Sequence, residues 1–176
     1  DACAAPGGKS FQLLSKNLKI DLNDISEYRS LTLKSNLKRL NFNAKIFNYD
    51  FIKFKDTKKY DFIILDSPCS SVGTIRKNPE IFYKTKGPNF KKLIKIKKQM
   101  LEKAAMLLNT NGFILYMVCS FLEIETRDQI DNFLKRNTNF RIYNFKMKKQ
   151  NIAYSKLLIN NMMFTLPNTV SNMKID

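Results

Sequence analysis

The sequence is short of metal-binding and disulfide-forming side chains. It has no histidine and only three cysteines among 176 residues, at positions 3, 69 and 119, with no Cys-x-x-Cys pair. A zinc site takes about four such ligands at characteristic spacings, so we expect no metal. An odd and sparse set of cysteines is typical of proteins whose thiols stay free in a reducing compartment, so we expect a cytoplasmic protein.

Long apolar runs are missing as well. No run approaches the roughly 20 apolar residues that cross a bilayer, and no signal-peptide pattern opens the sequence, so we expect no membrane partner. The length and a hydrophobic fraction of 44% suffice to bury one core. We therefore predict a single domain over residues 1–176, and we expect a monomer.

Positive charge is in large excess, with 31 Lys and Arg against 15 Asp and Glu and a net charge of +16. Such a balance favours a polyanionic partner, most simply a nucleic acid. The abundance of Lys, Asn, Ile and Phe is also typical of an AT-rich genome, so part of the charge reflects composition. Lys91, Lys95 and Lys98 share one face of a predicted helix, a pattern more typical of a solvated face than of an RNA-binding surface.

Apolar periodicity predicts helices alternating with strands. We predict strands at 18–22, 44–49, 60–65, 113–118 and 140–145, and helices at 10–18, 26–40, 90–108 and 123–136, with Ser26 capping the second helix. This alternation predicts βα units and a mostly parallel sheet. Ligands of such open sheets bind outside the carboxyl ends of the strands. Four polar residues follow predicted strands there: Asp24, Asp50, Asp66 and Cys119.

A glycine-containing loop opens the sequence, reading Asp-Ala-Cys-Ala-Ala-Pro-Gly-Gly-Lys-Ser. Gly7 and Gly8 would allow a ligand to approach the backbone, and a helix near Ser10 would offer amide groups. The spacing fits neither Gly-x-Gly-x-x-Gly nor a P-loop, and an ordinary turn is the alternative. Asp24 is placed as a ribose-binding carboxylate would be, or else caps a helix. Asp50 could accept a hydrogen bond from an adenine amino group by similar geometry.

Two cysteines follow apolar runs, in Asp66-Ser67-Pro68-Cys69 and in Met117-Val118-Cys119. The first segment resembles the (Asp/Asn)-Pro-Pro-Tyr motif of amino-group methyltransferases, with a thiol in place of the aromatic ring. A thiolate that adds to C6 of cytosine makes C5 nucleophilic enough to take a methyl group, after which a base removes the C5 proton and the thiol leaves. Asp66 could hold the base edge. Either cysteine could instead be a small buried residue, and these residues alone do not decide which thiol attacks.

Several ordered motifs resemble those of the RsmB/Sun/Nop family of RNA 5-methylcytosine methyltransferases, closest to its bacterial ribosomal-RNA branch. They are residues 1–10, residues 66–80 (DSPCSSVGTIRKNPE), residues 116–120 (YMVCS) and, in a predicted helix, residues 36–40. The resemblance implies an α/β, Rossmann-like fold dependent on S-adenosylmethionine. It also implies methyl transfer to C5 of a cytosine in RNA, with ribosomal RNA ahead of transfer RNA, through a covalent cysteine–C6 adduct.

The resemblance also implies roles for individual residues. S-adenosylmethionine would be bound by Cys3, Ala4, Ala5, Pro6, Gly7, Gly8, Lys9, Asp24, Asp50 and Asp66. Cys119 would be the nucleophile, Cys69 would assist product release, and Lys9 and Asp66 would contact the base.

The sequence departs from the family pattern in a few places. Ser10 replaces Thr, Ser67 replaces Ala, and no Gly-Phe-Phe-like strand follows residues 164–167. The family's N-terminal RNA-binding region is absent. We therefore interpret the chain as an internal fragment lacking its first and last strands, forming a single catalytic domain over residues 1–176.

Two other classes of function remain open. DNA cytosine methyltransferases use the cysteine of a Pro-Cys segment as nucleophile, but they also carry a Glu-Asn-Val motif that this sequence lacks. A non-catalytic RNA-binding or assembly protein could share the fold. The presence of Lys9, Asp66 and both cysteines argues against that second alternative.

Overall fold

The structure is a computed structural model that describes residues 1–55, 57–83, 87–144, 158–159 and 162–163. The chain divides into two compact units. The first comprises Asp1–Pro68 and Lys91–Val118, and the second comprises Cys69–Phe90 and Cys119–Asp176. The single catalytic domain expected over residues 1–176 stays a prediction.

The first unit contains two pairs of parallel strands. Strand β1 (Asp21–Asn23) pairs with β2 (Lys45–Phe47), and β3 (Tyr60–Asp66) pairs with β4 (Leu108–Met117). The predicted parallel arrangement is therefore confirmed, and the strands at 44–49 and 60–65 are found almost where they were expected. Strand β1 is shorter and begins three residues later than the alternating pattern predicted.

The opening segment of the chain joins the two strand pairs. The Ala4 amide donates to the carbonyl of Asn23 in β1 at 2.8 Å, and the Asn23 amide donates to the Asp1 carbonyl at 2.9 Å. On its other side, the Ala2 amide donates to the carbonyl of Ile64 in β3 at 3.0 Å. Backbone hydrogen bonds thus run from β2 through β1 and the opening segment to β3 and β4. This order brings the opening loop next to the carboxyl ends of β1 and β3.

Three helices belong with these strands: α1 (Gly8–Leu14), α2 (Glu27–Arg39) and α3 (Phe90–Leu107). The predicted cap of α2 is confirmed, since the Ser26 side chain accepts from the Arg29 amide at 3.3 Å. Leu33 and Leu37 of α2 pack with Leu22 of β1 in a buried apolar cluster. The helix therefore lies against the sheet, as its leucine spacing predicted.

The buried face of α3 differs from the one that the apolar pattern predicts. That pattern puts Ile94, Leu101, Ala105 and Leu108 inside, whereas only Leu101 of these four is buried. The buried residues are Lys97, Met100, Leu101, Ala104 and Leu107. A pattern that counts lysine as polar misplaces this face, because a lysine stem can pack among apolar groups while its ammonium reaches a hydrogen-bond partner.

Strand β4 contains a bulge at residues 109–112, whose Asn and Gly content is typical of a turn. Tyr60 pairs with Leu108 and Phe62 pairs with Phe113, so residues 109–112 are inserted on one side of the ladder. Asn111 has a positive φ of 64° there. The turn residues at 109–112 therefore interrupt a strand rather than separating a helix from it.

The second unit consists of short turns, one helix and a small hairpin in its described part. Its elements are 3₁₀ turns at Val72–Thr74, Pro79–Tyr83 and Glu123–Glu125, helix α4 (Arg127–Arg136), and the antiparallel pair β5 (Leu158–Ile159) and β6 (Met162–Met163). The helix predicted at 123–136 is thus largely confirmed. Its first turn is a 3₁₀ turn and not part of the α-helix.

The strand predicted at 140–145 is wrong for the residues that are described. Residues 141–144 have no regular structure, and residue 145 lies outside the described ranges, as does the segment at 164–167. Phe140 instead packs against the C-terminal end of α4. Its amide donates to the Asn137 carbonyl at 3.0 Å, and its ring meets that of Phe133 edge-on at 5.2 Å. Packing against the helix replaced pairing in a sheet.

Over the described residues, the longest helices are too short or too polar to pass through a lipid bilayer.

Candidate active site

The opening loop turns at Gly7 for a steric reason. Gly7 has a φ of 115°, and a β-carbon added there would lie 2.0 Å from the ring of Phe11. A side chain at Gly8 would meet nothing within 4 Å, and Gly8 already begins α1, two residues before the predicted start. Of the two glycines, only Gly7 is required by the turn itself.

Asp24 follows β1, and its side chain is bonded to the opening loop. Its side chain is buried, with one oxygen accepting from the Ser26 amide at 3.0 Å. The other oxygen accepts from the Ala5 amide at 3.2 Å and lies 3.3 Å from the Arg29 guanidinium. Asp24 therefore joins the loop to the start of α2, a role close to the helix cap considered above. Its predicted ribose contact stays a prediction.

Helix α2 holds the loop through two residues that the sequence did not single out as site residues. The Arg29 guanidinium donates to the Ala5 carbonyl, and the Asn36 side-chain amide donates to the Pro6 carbonyl at 3.1 Å. Both are on the side of α2 that faces the loop, seven residues apart, which is two helical turns. That spacing is the signal by which they could have been found.

The end of β2 is tied to the end of β1 by Asn23. The buried Asn23 side chain donates to the carbonyls of Ala2 and Tyr49 and accepts from the Tyr49 amide. Asp50 comes next and accepts from the Ile52 amide at 3.0 Å, which begins a short 3₁₀ turn. Asp50 is half-buried at the same sheet edge as Asp24, as predicted from the strand ends.

Lys9 and Asp66 form an ion pair although 57 positions separate them. The Lys9 Nζ lies 2.5 Å from one Asp66 oxygen, and both side chains remain partly exposed. Asp66 is the last residue of β3, so the loop and the strand end meet here. The sequence proposed both residues for the site without indicating that they pair.

Cys3 is a different kind of thiol from the other two. Burial, followed by the nearby carboxylates of Asp24 and Asp66, raises the pKa of Cys3 to about 12. A thiol with that pKa stays protonated near neutral pH and is a poor nucleophile. Its predicted contact with S-adenosylmethionine, as part of the loop of residues 3–9, stays a prediction.

The segment after β3 is fixed by residues of α3 and β4. The buried Ser67 donates its amide to the Met117 carbonyl at 3.0 Å, and its hydroxyl contacts the Met100 sulfur at 3.9 Å. The fully buried Lys97 donates its ammonium to the Pro68 carbonyl. These bonds hold the chain immediately before Cys69. The sequence did not indicate Lys97 as a site residue, because its burial follows from its position on the buried face of α3 and not from its residue type.

In the second unit, the two remaining cysteines face each other. The sulfur atoms of Cys69 and Cys119 lie 3.1 Å apart, and both cysteines are in the reduced form. Ser71 lies beside them, its hydroxyl 3.3 Å from the Cys119 sulfur and 3.9 Å from the Cys69 sulfur. Cys119 is exposed and Cys69 is partly exposed, so neither is a buried packing residue.

The Cys69 thiol holds its proton more tightly than an ordinary cysteine does. The hydrogen bond with Cys119, followed by burial, raises the pKa of Cys69. Cys69 therefore keeps its proton and can donate it across the pair. The predicted role of Cys119 as the nucleophile stays a prediction.

A cavity of about 460 Å³ opens beside Cys69. Its lining combines the polar residues Ser70, Ser71, Thr74, Asn78 and Glu80 with Cys69 and the apolar Ile81 and Pro88. The Asn78 side-chain amide donates to the Thr74 hydroxyl at 3.0 Å, and that hydroxyl donates to the Ser71 carbonyl at 2.8 Å. A lining that combines apolar groups with fixed hydroxyl and amide groups suits a small polar ring such as a nucleobase.

Comparisons with known proteins show which family the chain resembles. Residues 1–172 match a family described as 16S rRNA methyltransferase RsmB/F. The chain belongs to that family. Ribosomal RNA small subunit methyltransferase B of Shewanella oneidensis is 35% identical over 147 residues, which cover 81% of the chain and 34% of the relative. The chain thus spans about a third of the length of the curated relatives it matches. The resemblance to the bacterial ribosomal-RNA branch is confirmed.

Solved structures of similar proteins share the fold. A crystal structure of PH0851 has a TM-score of 0.71 and 34% identity, covering 76% of this chain and 32% of that one. NSun6 from Pyrococcus horikoshii, solved with SFG, has a TM-score of 0.69 and 26% identity, covering 77% of this chain and 36% of that one. The expected α/β, Rossmann-like methyltransferase fold is confirmed. S-adenosylmethionine is the family's methyl donor, as the sequence predicted.

Proposed function

We propose that this chain carries the catalytic site of an RNA (cytosine-5)-methyltransferase that acts on ribosomal RNA. The observation that carries the proposal is the pair of reduced thiols 3.1 Å apart, Cys69 and Cys119, in a member of a ribosomal-RNA methyltransferase family. Methylation at an exocyclic nitrogen or a ribose hydroxyl needs no thiol. Methylation at C5 of cytosine does need one, because that carbon is too weakly nucleophilic until a thiolate adds to C6.

Cys119 is the attacking thiol in this proposal. It is the exposed member of the pair, and the raised pKa of Cys69 leaves Cys69 in its protonated form. The Cys119 sulfur forms a bond to C6, and the electron pair of the C5–C6 double bond becomes available at C5. S-adenosylmethionine supplies the electrophilic methyl group that C5 takes up. A base then removes the C5 proton, the double bond re-forms, and the C6–sulfur bond breaks.

Cys69 assists the last step. As Cys119 leaves C6 it does so as a thiolate, and the Cys69 thiol is within hydrogen-bond distance to stabilise or protonate it. The target base must be unstacked from its RNA strand before a thiol can reach C6. The cavity beside Cys69 is of a size that accepts such a base.

The first unit supplies a fitting set of groups for S-adenosylmethionine. Asp24, Asp50 and Asp66 follow three parallel strands at one sheet edge, where carboxylates accept hydrogen bonds from hydroxyl and amino groups. The loop of residues 3–9 passes beside them and is fixed by α2. Asp24 is only 1% exposed, so Asp50 and Asp66 are the carboxylates that a ligand reaches directly. Lys9 and Asp66 are the proposed contacts to the target base.

The proposal is tested by locating the transferred methyl group. Full-length protein would be incubated with S-adenosylmethionine carrying a labelled methyl group and with small-subunit ribosomal RNA, and the RNA would then be digested to nucleosides. Label is expected in 5-methylcytidine. A DNA strand of the same sequence, added in excess, is expected not to compete. Label in another nucleoside, or preferential methylation of the DNA, would overturn the proposal.

A further inference from the structure

Glu125 is a fully buried acidic residue in the second unit, and it faces the cysteine loops. One of its carboxylate oxygens accepts from the Ser70 amide at 2.9 Å, and the other accepts from the Ser70 hydroxyl. A buried carboxylate is strongly disfavoured unless hydrogen bonds replace its hydration. Glu125 and Ser70 are therefore fixed relative to each other, although 55 positions separate them in the chain.

Ser70 is bonded into the loop that follows the second cysteine. Its hydroxyl oxygen lies 3.4 Å from that of Ser120, which is largely buried and accepts from the Leu122 amide at 3.3 Å. Ser70 directly follows Cys69, and Ser120 directly follows Cys119. The two residues that adjoin the thiols thus contact each other, and Ser70 joins this contact to the carboxylate of Glu125.

A second bond ties the same two loops on their other side. The Gly73 amide donates to the Cys119 carbonyl at 3.0 Å. A β-carbon at Gly73 would lie 3.1 Å from that carbonyl oxygen, so the two backbones are in close contact. The backbone bond places the loops side by side, whereas the contacts of Glu125 fix the residue next to Cys69.

We propose that Glu125 is a positioning residue that sets the distance between the Cys69 and Cys119 thiols. It acts through Ser70, whose amide and hydroxyl both donate to its carboxylate. The inference rests on the proposed function, in which both thiols act on one base. Attack and release both depend on this separation, and a misplacement of about 1 Å in an active site can reduce a rate about 100-fold.

The test replaces Glu125 with glutamine in the full-length protein. Glutamine has the same size and its oxygen still accepts from the Ser70 amide, but its nitrogen cannot accept the proton of the Ser70 hydroxyl. Dibromobimane becomes fluorescent when it joins two neighbouring thiols, so it reports their separation without requiring methyl transfer. We expect E125Q to slow this cross-linking about tenfold, within the loss that an ångström-scale misplacement produces. Labelling of single thiols by a maleimide should be unchanged.

Glu123→Gln is the matched control. Glu123 lies in the same 3₁₀ turn, but its side chain is 75% exposed and its ion pair with Arg127 is at 3.7 Å. Its cross-linking rate should equal that of the parent. A structural role shared by the whole turn would slow both variants.

Ser70→Ala provides the second variant in case E125Q does not fold, since it removes the bridging hydroxyl and leaves Glu125 in place. It should slow cross-linking in the same direction. Parent-like cross-linking in a folded E125Q protein, or in S70A when E125Q is unfolded, would overturn the positioning role. A methylation defect with unchanged cross-linking would also contradict it. Loss of cross-linking in a protein that does not methylate cytosine would support the positioning role and reject the proposed function.

Discussion

The sulfur atoms of Cys69 and Cys119 lie 3.1 Å apart with the Ser71 hydroxyl next to both. Each cysteine follows a strand of one parallel pair, β3 and β4, by two or three residues. Their contact puts a protonated thiol beside an exposed one. The predictions below test this pair and the residues that fix its surroundings.

Replacing Cys119 and replacing Cys69 are expected to have different effects on methylation and on the covalent adduct. Cys119→Ala in the full-length protein should abolish both turnover and the covalent RNA adduct, because no thiol is left to attack C6. Cys69→Ala should accumulate the adduct, because release of Cys119 loses its proton donor. Denaturing gels of labelled RNA would show the adduct as a band of reduced mobility. An adduct that persists in Cys119→Ala and is lost in Cys69→Ala would reverse the two roles.

Cys69 is expected to react more readily with alkylating reagents once Cys119 is removed. The hydrogen bond with Cys119 is the first cause of its raised pKa, and a raised pKa means a smaller thiolate fraction at a given pH. In Cys119→Ala, the labelling of Cys69 should therefore begin at lower pH, nearer to the ordinary cysteine pKa of about 8.5. Burial still acts, so the shift should be partial. Peptide mass spectrometry after timed alkylation across this pH range would measure it, and an unchanged pH profile would contradict the coupling.

Mild peroxide should join Cys69 to Cys119. The Cys119 thiolate would take one oxygen from the peroxide to give a sulfenic acid, and the Cys69 thiol would then displace water to form the disulfide. The expected product is two hydrogens lighter, keeps one of the three thiols, and returns to the parent mass with a thiol reductant. Cys3 serves as the internal control, because its pKa of about 12 keeps it unreactive. Peptide mapping that finds Cys3 in the disulfide would refute this geometry.

Lys97→Met should destabilise the protein despite the similar shape of methionine. Lys97 is fully buried and donates to the Pro68 carbonyl, and a hydrogen bond from a charged group contributes about 1.5–3 kcal/mol. Comparative urea unfolding should show a loss in that range. Lys98→Met on the exposed face of the same helix should change the unfolding free energy by less than about 0.5 kcal/mol. Equal effects of the two substitutions would show that the buried bond contributes nothing.

Gly7→Ala and Gly8→Ala should differ although the residues are neighbours. Gly7 adopts a left-handed φ that disfavours other residues by about 1–2 kcal/mol, and its β-carbon would collide with Phe11. Gly8 begins α1 with open space around it, so alanine there should be neutral or stabilising by up to about 1 kcal/mol. Urea unfolding would compare the two. Calorimetry should show weaker S-adenosylmethionine binding for Gly7→Ala, since the turn of the loop would be distorted.

Much of the fold could be predicted from local sequence patterns. The leucine spacing of α2 and the capping Ser26 are properties of a few neighbouring residues, so both could be predicted. The parallel sheet followed from the alternation of helices and strands, and parallel strands bring their carboxyl ends to one edge. For that reason Asp24, Asp50 and Asp66 could be assigned to a common edge before their contacts were known.

The features that depend on contacts between distant residues could not be predicted from the sequence. The buried face of α3 was misplaced because Lys97 is buried by its bond to the Pro68 carbonyl, 29 residues away in the chain. Phe140 fits a strand pattern, but a nearby helix offered Phe133 as a packing partner. The Lys9–Asp66 ion pair and the role of Glu125 likewise depend on residues more than 50 positions apart.

The two cysteines show most plainly which features the sequence determines and which ones only the folded structure determines. Residue types and strand ends were enough to indicate covalent chemistry on a base and to nominate both thiols, because those features are written in short segments of sequence. Only the tertiary structure decided that the sulfur atoms meet at 3.1 Å and that Cys69 is the member whose pKa is raised. Proximity and burial are properties of the folded chain, since both depend on residues that the sequence keeps far apart.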